Sequence, residues 1–257
     1  MSNKRLEIIT DNANWSFYED SKFMAMIFDE IIKDENFLKI INKFGFQYFV
    51  DRYKFFYKTI HKHKCIQCLD YYHGEPRDGK IYKKFFSKLK KYSKNLSLIR
   101  VPNKKIYNAM YDYGINYENN ISILPIPVNS NIFSKKDSIF KDKIRKDLKI
   151  PNSLFIIGSF QKDGVGWDQG FEPKLIKGPD IFLKSIESLI SLNKNYKKNI
   201  GILLSGPARG YIKNGLEKLN IKYWHVYCKN LEEVSHLYNA ADAYFISSRL
   251  EGGPKSF

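Results

Sequence analysis

Three stretches of this 257-residue chain join small residues to groups that can hold or neutralise a ligand. The first is Gly158-Ser159-Phe160-Gln161-Lys162-Asp163-Gly164-Val165-Gly166, followed by Lys174-Leu175-Ile176-Lys177-Gly178-Pro179-Asp180. Glycine lets a backbone approach phosphate, and a lysine beside a helix N-terminus stabilises negative charge. A phosphate-bearing ligand fits Gly158, Ser159, Lys162 and Lys177; a glycine-rich surface loop with solvated lysines fits equally well. In the second stretch, Ser205-Gly206-Pro207-Ala208-Arg209-Gly210, small residues clear space and Arg209 can reach a base or a phosphate. Turn chemistry accounts for Gly206 and Pro207 just as well, so this signal is the weaker one. The third, Ser247-Ser248-Arg249-Leu250-Glu251-Gly252-Gly253-Pro254-Lys255-Ser256-Phe257, sets a carboxylate directly before two glycines. Glu251 can accept hydrogen bonds from hydroxyls, while the amides after it, from Gly252 and Gly253 to Ser256, face a phosphate at a helix start. A helix-entry glutamate is the plain structural alternative.

The elements that must position these residues follow from hydrophobic period. After Pro151, apolar runs alternate with amphipathic stretches: strands at 154–158, 200–205, 223–227 and 243–247, and helices at 180–192, 211–219 and 231–241. Such alternation specifies a parallel sheet wrapped by helices, and open parallel sheets bind ligands beyond the carboxyl ends of their strands. All three stretches sit at such ends. Before Pro151 the reading is sparser: strands at 6–10, 65–72 and 97–101, helices at 22–32 and from Lys104 to Gly114, and an extended segment at 121–128 broken by Pro125 and Pro127. His73, at a strand end beside Gly74, can contact a ligand or its transferable proton, although a lone histidine is more often structural.

Composition bounds the rest. A hydrophobic fraction of 43% with 16% aromatics indicates a folded chain, and no apolar run reaches the length of a membrane span. The N-terminus lacks the apolar core of a signal peptide, so a soluble, cytoplasmic protein is expected. The net charge of +16 points toward polyanions, yet 36 of the 43 basic residues are lysines scattered among asparagine and isoleucine. The denser clusters at 80–94 and 134–149 read as solvated helix faces before they read as phosphate or nucleic-acid contacts. Nucleic acid is a runner-up at best. Cys65-Ile66-Gln67-Cys68 has the spacing of a redox or zinc motif but lies in an apolar run, which favours two ordinary strand cysteines; no metal site is expected.

Leu237-Tyr238-Asn239-Ala240-Ala241-Asp242-Ala243 followed by Ser247 to Gly253 resembles the donor-binding core of family-4 glycosyltransferases. Leu124-Pro125-Ile126-Pro127-Val128-Asn129 with Phe133 is similar to the segment by which those enzymes leave their first domain, and Lys177-Gly178 to their phosphate-binding pair. The resemblance implies a GT-B-like α/β fold: two Rossmann-like, doubly wound domains with parallel sheets. The boundaries it implies are a reduced acceptor-side domain at 1–133, a linker at 134–150 and a nucleotide-sugar-binding domain at 151–257 that is incomplete. It further implies that Glu251 holds the donor sugar, that Gly252 and Gly253 shape its loop, and that Lys177, with Lys162, neutralises the diphosphate. The activity implied is transfer of a sugar from a nucleoside-diphosphate sugar to an acceptor hydroxyl with retention, as in glycan or polysaccharide synthesis, without metal or other cofactor. A glycan or lipid-linked acceptor and peripheral contact with an anionic membrane, at the inner face, are further expectations. Two departures stand out: Ser159, Phe160 and Gln161 occupy the place of an arginine, and the second acid of the paired-glutamate motif would fall two places beyond Phe257. The competing expectation is therefore a truncated or degenerate, non-catalytic nucleotide-sugar-binding protein.

Overall fold

Segments that are apolar on both sides form two parallel sheets, because a strand covered by helices on both faces has no wet side to keep polar. The computed structural model describes residues 6–10, 16–57, 65–115 and 120–252. The chain divides into unit 1, Met1–Pro127 with Glu251–Lys255, and unit 2, Val128–Leu250 with Ser256–Phe257.

Unit 1 runs β1 (Leu6–Ile9), α1 (Ser16–Ile31), α2 (Glu35–Phe44), β2 (Phe46–Phe49), α3 (Arg52–Tyr57), β3 (Ile66–Asp70), α4 (Lys80–Tyr92), β4 (Leu98–Val101), α5 (Lys104–Asp112) and β5 (Ile121–Ile123). The strands are parallel and lie in chain order across the sheet. One face packs Phe49, Leu69, Tyr71, Ile99 and Val101 against Phe55 of α3, Phe85, Phe86 and Leu89 of α4, and Ile106 and Met110 of α5. The other packs Phe46, Tyr48 and Cys68 against Phe28 of α1 and Ile41 of α2. Burying side chains of this size contributes about 1.5–3 kcal/mol each. The sequence pattern does not anticipate β2, α2 or α3: β2 is only Phe46-Gln47-Tyr48-Phe49, too short for a period to declare itself. The basic run from Lys80 is helix α4, with Phe85, Phe86 and Leu89 turned inward and most of its lysines in solvent. Cys68 lies in β3 and burial pushes its thiol up to about 12; neither Cys65 nor Cys68 is in a disulfide.

Unit 2 runs α6 (Ser138–Asp147), β6 (Phe155–Ser159), α7 (Pro179–Leu192), α8 (Tyr196–Asn199), β7 (Ile200–Ser205), α9 (Gly210–Lys218), β8 (Tyr223–Val226), α10 (Leu231–Ala240) and β9 (Ala243–Tyr244). The parallel sheet has the order β8-β7-β6-β9. Phe182 and Ile186 of α7 and Ile212 and Leu216 of α9 cover the face presenting Ile157, Ile202 and Leu204. Ile144 of α6 and Leu237 and Ala240 of α10 cover Ile156 and Leu203 on the other. The sequence-predicted strands and helices of this half appear at their expected places, displaced by a residue or two at some ends, and β9 is shorter than the run at 243–247.

Residues 134–150, expected as a linker, hold α6 and belong to unit 2. Asp137 caps it, accepting from the Phe140 N–H at 2.8 Å. Arg145 is the reason it docks: its guanidinium donates to Asp242 at 2.6 Å, to the Ala240 carbonyl at 2.9 Å and to the Leu154 carbonyl at 3.2 Å. Asp242 also accepts from the Ile156 N–H at 2.6 Å and pairs with Lys141. The acid that follows the Ala240-Ala241 pair thus ties α6, α10 and β6 together.

Candidate functional site

The strand order of unit 2 reverses beside β6. From β6 the chain steps outward through α7 to β7 and through α9 to β8, then returns through α10 to β9 on the opposite side of β6. The loops leaving β6 and β9 therefore border the carboxyl ends of these strands at the reversal, the crevice where open α/β sheets take ligands.

The loop after β6 carries Gln161, whose side chain ties the crevice together. Its amide donates to the Lys177 carbonyl at 3.0 Å and to Ser247 Oγ at 3.4 Å, and its Oε1 accepts from Ser248 Oγ at 3.1 Å. Ser247 Oγ also donates to the Lys177 carbonyl at 3.2 Å. The backbone ahead of α7 is fixed from the β9 side: the Arg249 N–H donates to the Ile176 carbonyl at 2.9 Å, and its guanidinium donates to the Leu175 carbonyl and grips Asp180 through two bonds of 2.8 and 2.6 Å. These contacts hold the 3-10 turn Leu175–Lys177 against the crevice and set where Lys177 stands. Gly178 follows with φ +64°, and a Cβ there would lie 1.9 Å from the Ser247 carbonyl oxygen, so only glycine lets the two loops meet.

Lys162 is half-buried, with its ammonium 3.5 Å from the centre of the Trp167 ring. Desolvation, then the neighbouring Lys174, lowers its pKa, and a bound anion would oppose that fall. Ser159 ends β6 and is buried, and Gly158 lies within the strand, where a Cβ would press on Phe160 and Tyr244. Gly206 has φ +90°, and its carbonyl meets His225 Nε2 at 2.8 Å.

Arg209, read from sequence as able to reach a ligand, instead turns into the protein. It is 1% exposed; its guanidinium donates to the carbonyls of Ser159 at 2.8 Å, Ser205 at 2.9 Å and Gln161, to Ser159 Oγ at 2.9 Å, and pairs with Asp163 at 3.1 Å. Burial pushes the Asp163 carboxyl up to about 6 against the pull of Arg209. Arg209 is the internal brace of the β6 and β7 loops, and part of the glycine pattern serves the same end: Gly164 and Gly170 pack their backbones on Ala208.

The remaining candidates lie in unit 1. The backbone of Gly252 abuts the Tyr72 carbonyl, where a Cβ would stand 1.5 Å from its oxygen, and the Gly252 carbonyl accepts from Asn103 Nδ2 at 2.6 Å. His73, next along from Tyr72, is half-buried. Arg52 donates to its carbonyl and lies 3.2 Å from Nε2. Beneath these residues Asp70 is buried at the end of β3, accepting from Tyr48 at 2.7 Å, Tyr72 at 3.1 Å and Arg100 at 3.0 Å. Burial raises its pKa, and these donors oppose the rise. Glu251 is half-buried in the same unit; Gly253 and Ser256 lie outside the described residues.

The structure therefore groups Gly158, Ser159, Lys162, Lys177, Gly206 and Arg209 in unit 2, and His73, Glu251 and Gly252 in unit 1. Sequence reasoning did not single out Gln161, Ser247 or Ser248 as the pins of the crevice, nor the Arg52 contact to His73. Polar residues in a loop give no signal of what they tie until the strands bring them together.

Solved structures of similar fold include WaaG, a glycosyltransferase involved in lipopolysaccharide biosynthesis, at TM-score 0.61 and 13% identity over 95% of this chain and 75% of that one. They also include HepE of Anabaena bound to UDP, at TM-score 0.57 and 13% identity over 79% of this chain and 53% of that one. The fold is GT-B. TarM of S. aureus, in a variant form bound to fondaparinux, α-GlcNAc-glycerol and UDP, matches this GT-B chain at TM-score 0.56 and 12% identity, over 82% of this chain and 38% of that one. The chain spans about half the length of the HepE chain it matches. No protein-family model and no curated protein sequence matches it. Among the described residues, no helix of this GT-B chain is long and apolar enough to cross a membrane.

Proposed function

We propose that this chain carries the donor half of a glycosyl transfer: it binds a nucleoside-diphosphate sugar in the β6–β9 crevice of unit 2 and passes the sugar to an acceptor hydroxyl. The observation that carries the reading is the crevice itself, where Gln161, Ser247 and Arg249 hold Lys177 and the start of α7 at the strand-order reversal. A diphosphate at that position meets the Lys177 ammonium, the Lys162 ammonium and the positive end of a fourteen-residue helix. Neighbouring GT-B structures hold UDP and UDP-glucose, which makes a uridine nucleotide the first donor to try.

In the reaction, the bond between the anomeric carbon and the diphosphate oxygen breaks, and charge accumulates on the departing phosphate. Fixed lysines and helix amides stabilise that charge without reorganising, and because they supply the neutralisation, turnover should persist in a chelator. Glu251 accepts hydrogen bonds from the sugar hydroxyls. His73 contacts the sugar or the acceptor proton. Transfer with retention to a glycan or lipid-linked acceptor in polysaccharide synthesis, beside an anionic membrane, completes the reading.

The test is a calorimetric and thermal-shift titration with UDP, UDP-glucose and the other nucleoside diphosphates, on the wild type and on Lys177→Ala and Glu251→Ala. The expected outcome is saturable binding of one nucleotide, weakened about tenfold or more by Lys177→Ala, with Glu251→Ala weakening the nucleotide sugar more than the bare diphosphate. A folded wild type that binds none of them, or binding indifferent to Lys177, overturns the assignment.

A further inference from the structure

In unit 1 the first turns of α3 and α4 enclose a pocket of about 330 Å³, with Arg52, Lys80 and Lys84 on its lining beside Phe56, Tyr82 and Phe85. No carboxylate lines it. Lys80 and Lys84 stand exposed on α4, whereas Arg52 is 5% exposed.

Arg52 is unusual among the arginines of this chain. Arg77 pairs with Glu75, Arg100 with Asp70, Arg145 with Asp242, Arg209 with Asp163 and Arg249 with Asp180. Among the described residues Arg52 alone has no carboxylate partner. Its guanidinium contacts the His73 carbonyl and Nε2, and lies 5.2 to 5.5 Å from the ring centres of Tyr53, Tyr71 and Tyr82. A guanidinium has five N–H donors in a fork matched to phosphate or carboxylate, and burying one without a counter-charge is costly.

We propose that the pocket binds a phosphomonoester, with Arg52, Lys80 and Lys84 on the phosphate and Phe56, Tyr82 and Phe85 around the group that carries it. Three cations with no acid among them suit a group that is close to dianionic at neutral pH. The volume lies at the small end of the range for ligand pockets and accommodates a phosphorylated monosaccharide or the headgroup of a phosphatidic acid, which present the same chemistry. Aromatic rings supply the apolar faces against which the C–H side of a sugar or a glycerol unit can lie. The site shares no residue with the crevice in unit 2, so it stands whether or not that crevice takes a nucleotide sugar.

The experiment titrates the full chain with glucose 6-phosphate and with glucose by calorimetry, and with phosphatidylcholine vesicles carrying 20 mol% phosphatidic acid by flotation. It compares the wild type with Lys80→Ala/Lys84→Ala and with Lys83→Ala/Lys90→Ala, which removes the same charge from α4 outside the pocket. Both pairs are solvent-exposed, and circular dichroism verifies that each variant folds. The expected result is binding of glucose 6-phosphate or of the acidic vesicles, but not of glucose. That binding weakens at least tenfold in the pocket variant and about twofold or less in the control. The His73 ring resonance of the wild type shifts on saturation, because Arg52 touches both. Preference for the soluble probe or for the vesicle identifies the source of the phosphate. Binding of neither, equal loss in both variants, or glucose binding as well as its phosphate overturns the proposal. Calorimetry with UDP on the same preparations separates this failure from failure of the donor site.

Discussion

At the scale of single residues, the decisive feature of the crevice is Gly178, which has positive φ and a neighbouring carbonyl where a side chain would begin. Gly178→Ala must place a β-carbon in a left-handed backbone and push the β9 loop away from α7. The first effect costs about 1–2 kcal/mol by itself, and the second displaces Ser247 and with it the bond to the Lys177 carbonyl. The variant should lose about 2 kcal/mol or more in urea unfolding and bind UDP more weakly than its residual folded fraction explains; a variant as stable as the wild type would mean the loops do not meet as described. Arg209 makes the opposite point. Arg209→Met leaves Asp163 buried without its partner and three carbonyls short of a donor, and is expected to destabilise by about 3–5 kcal/mol. Arg209→Met combined with Asp163→Asn should recover part of that loss, whereas a ligand-facing arginine would show a binding defect with little change in stability.

At the scale of elements, legibility in the sequence tracked the length and regularity of the apolar runs. Ile200-Gly201-Ile202-Leu203-Leu204-Ser205 is buried at every position and reads as a strand from its composition alone. Phe46-Gln47-Tyr48-Phe49 does not, and α3, capped by Asp51, which accepts from the Tyr53 N–H at 2.7 Å, is only six residues long, too short for a helical period to declare itself. The glycine-rich stretch after β6 was legible as a loop, but the division of labour within it was not, since Gly164 packs on Ala208 and Gln161 does the tying. Asp242 shows the same limit: its place after Ala240-Ala241 is plain in the sequence, while its grip on α6 depends on Arg145, 97 residues earlier. Burial opposes ionisation of Asp242, yet the donors Lys141, the Ile156 N–H and Arg145 hold its carboxyl below the usual range. A depressed folded-state pKa stabilises above the unfolded value, near 3.9, and the contribution is lost as pH falls through the folded value. Wild type should therefore exceed Asp242→Asn by about 1–3 kcal/mol at pH 7, and the gap should close below about pH 4. A gap that is the same at pH 3 and pH 7 would assign the loss to shape and not to charge.

At the scale of the whole molecule, the net charge of +16 competes with the crevice as an explanation for any anion the chain binds. The two make different demands on salt. A polynucleotide held by a dispersed basic surface releases the counterions of many phosphates, and an interaction of six to ten contacts weakens about 10³- to 10⁵-fold between 50 and 200 mM salt. A nucleotide held by two lysines, a helix terminus and hydrogen bonds releases few, and its affinity should fall by about tenfold or less over the same interval. Five of the six described arginines are already paired with carboxylates, and the lysines of α4 are spread along an exposed face, so the described residues form no continuous arginine track to follow a phosphate backbone. Calorimetry with UDP and with a 20-nucleotide single strand at 50 and 200 mM KCl should give a shallow dependence for the first and a steep one for the second. The nucleotide should still bind where the strand has dissociated. A UDP affinity that collapses as steeply as that of the strand would mean that bulk charge holds it, and Lys177 would then matter no more than any other lysine.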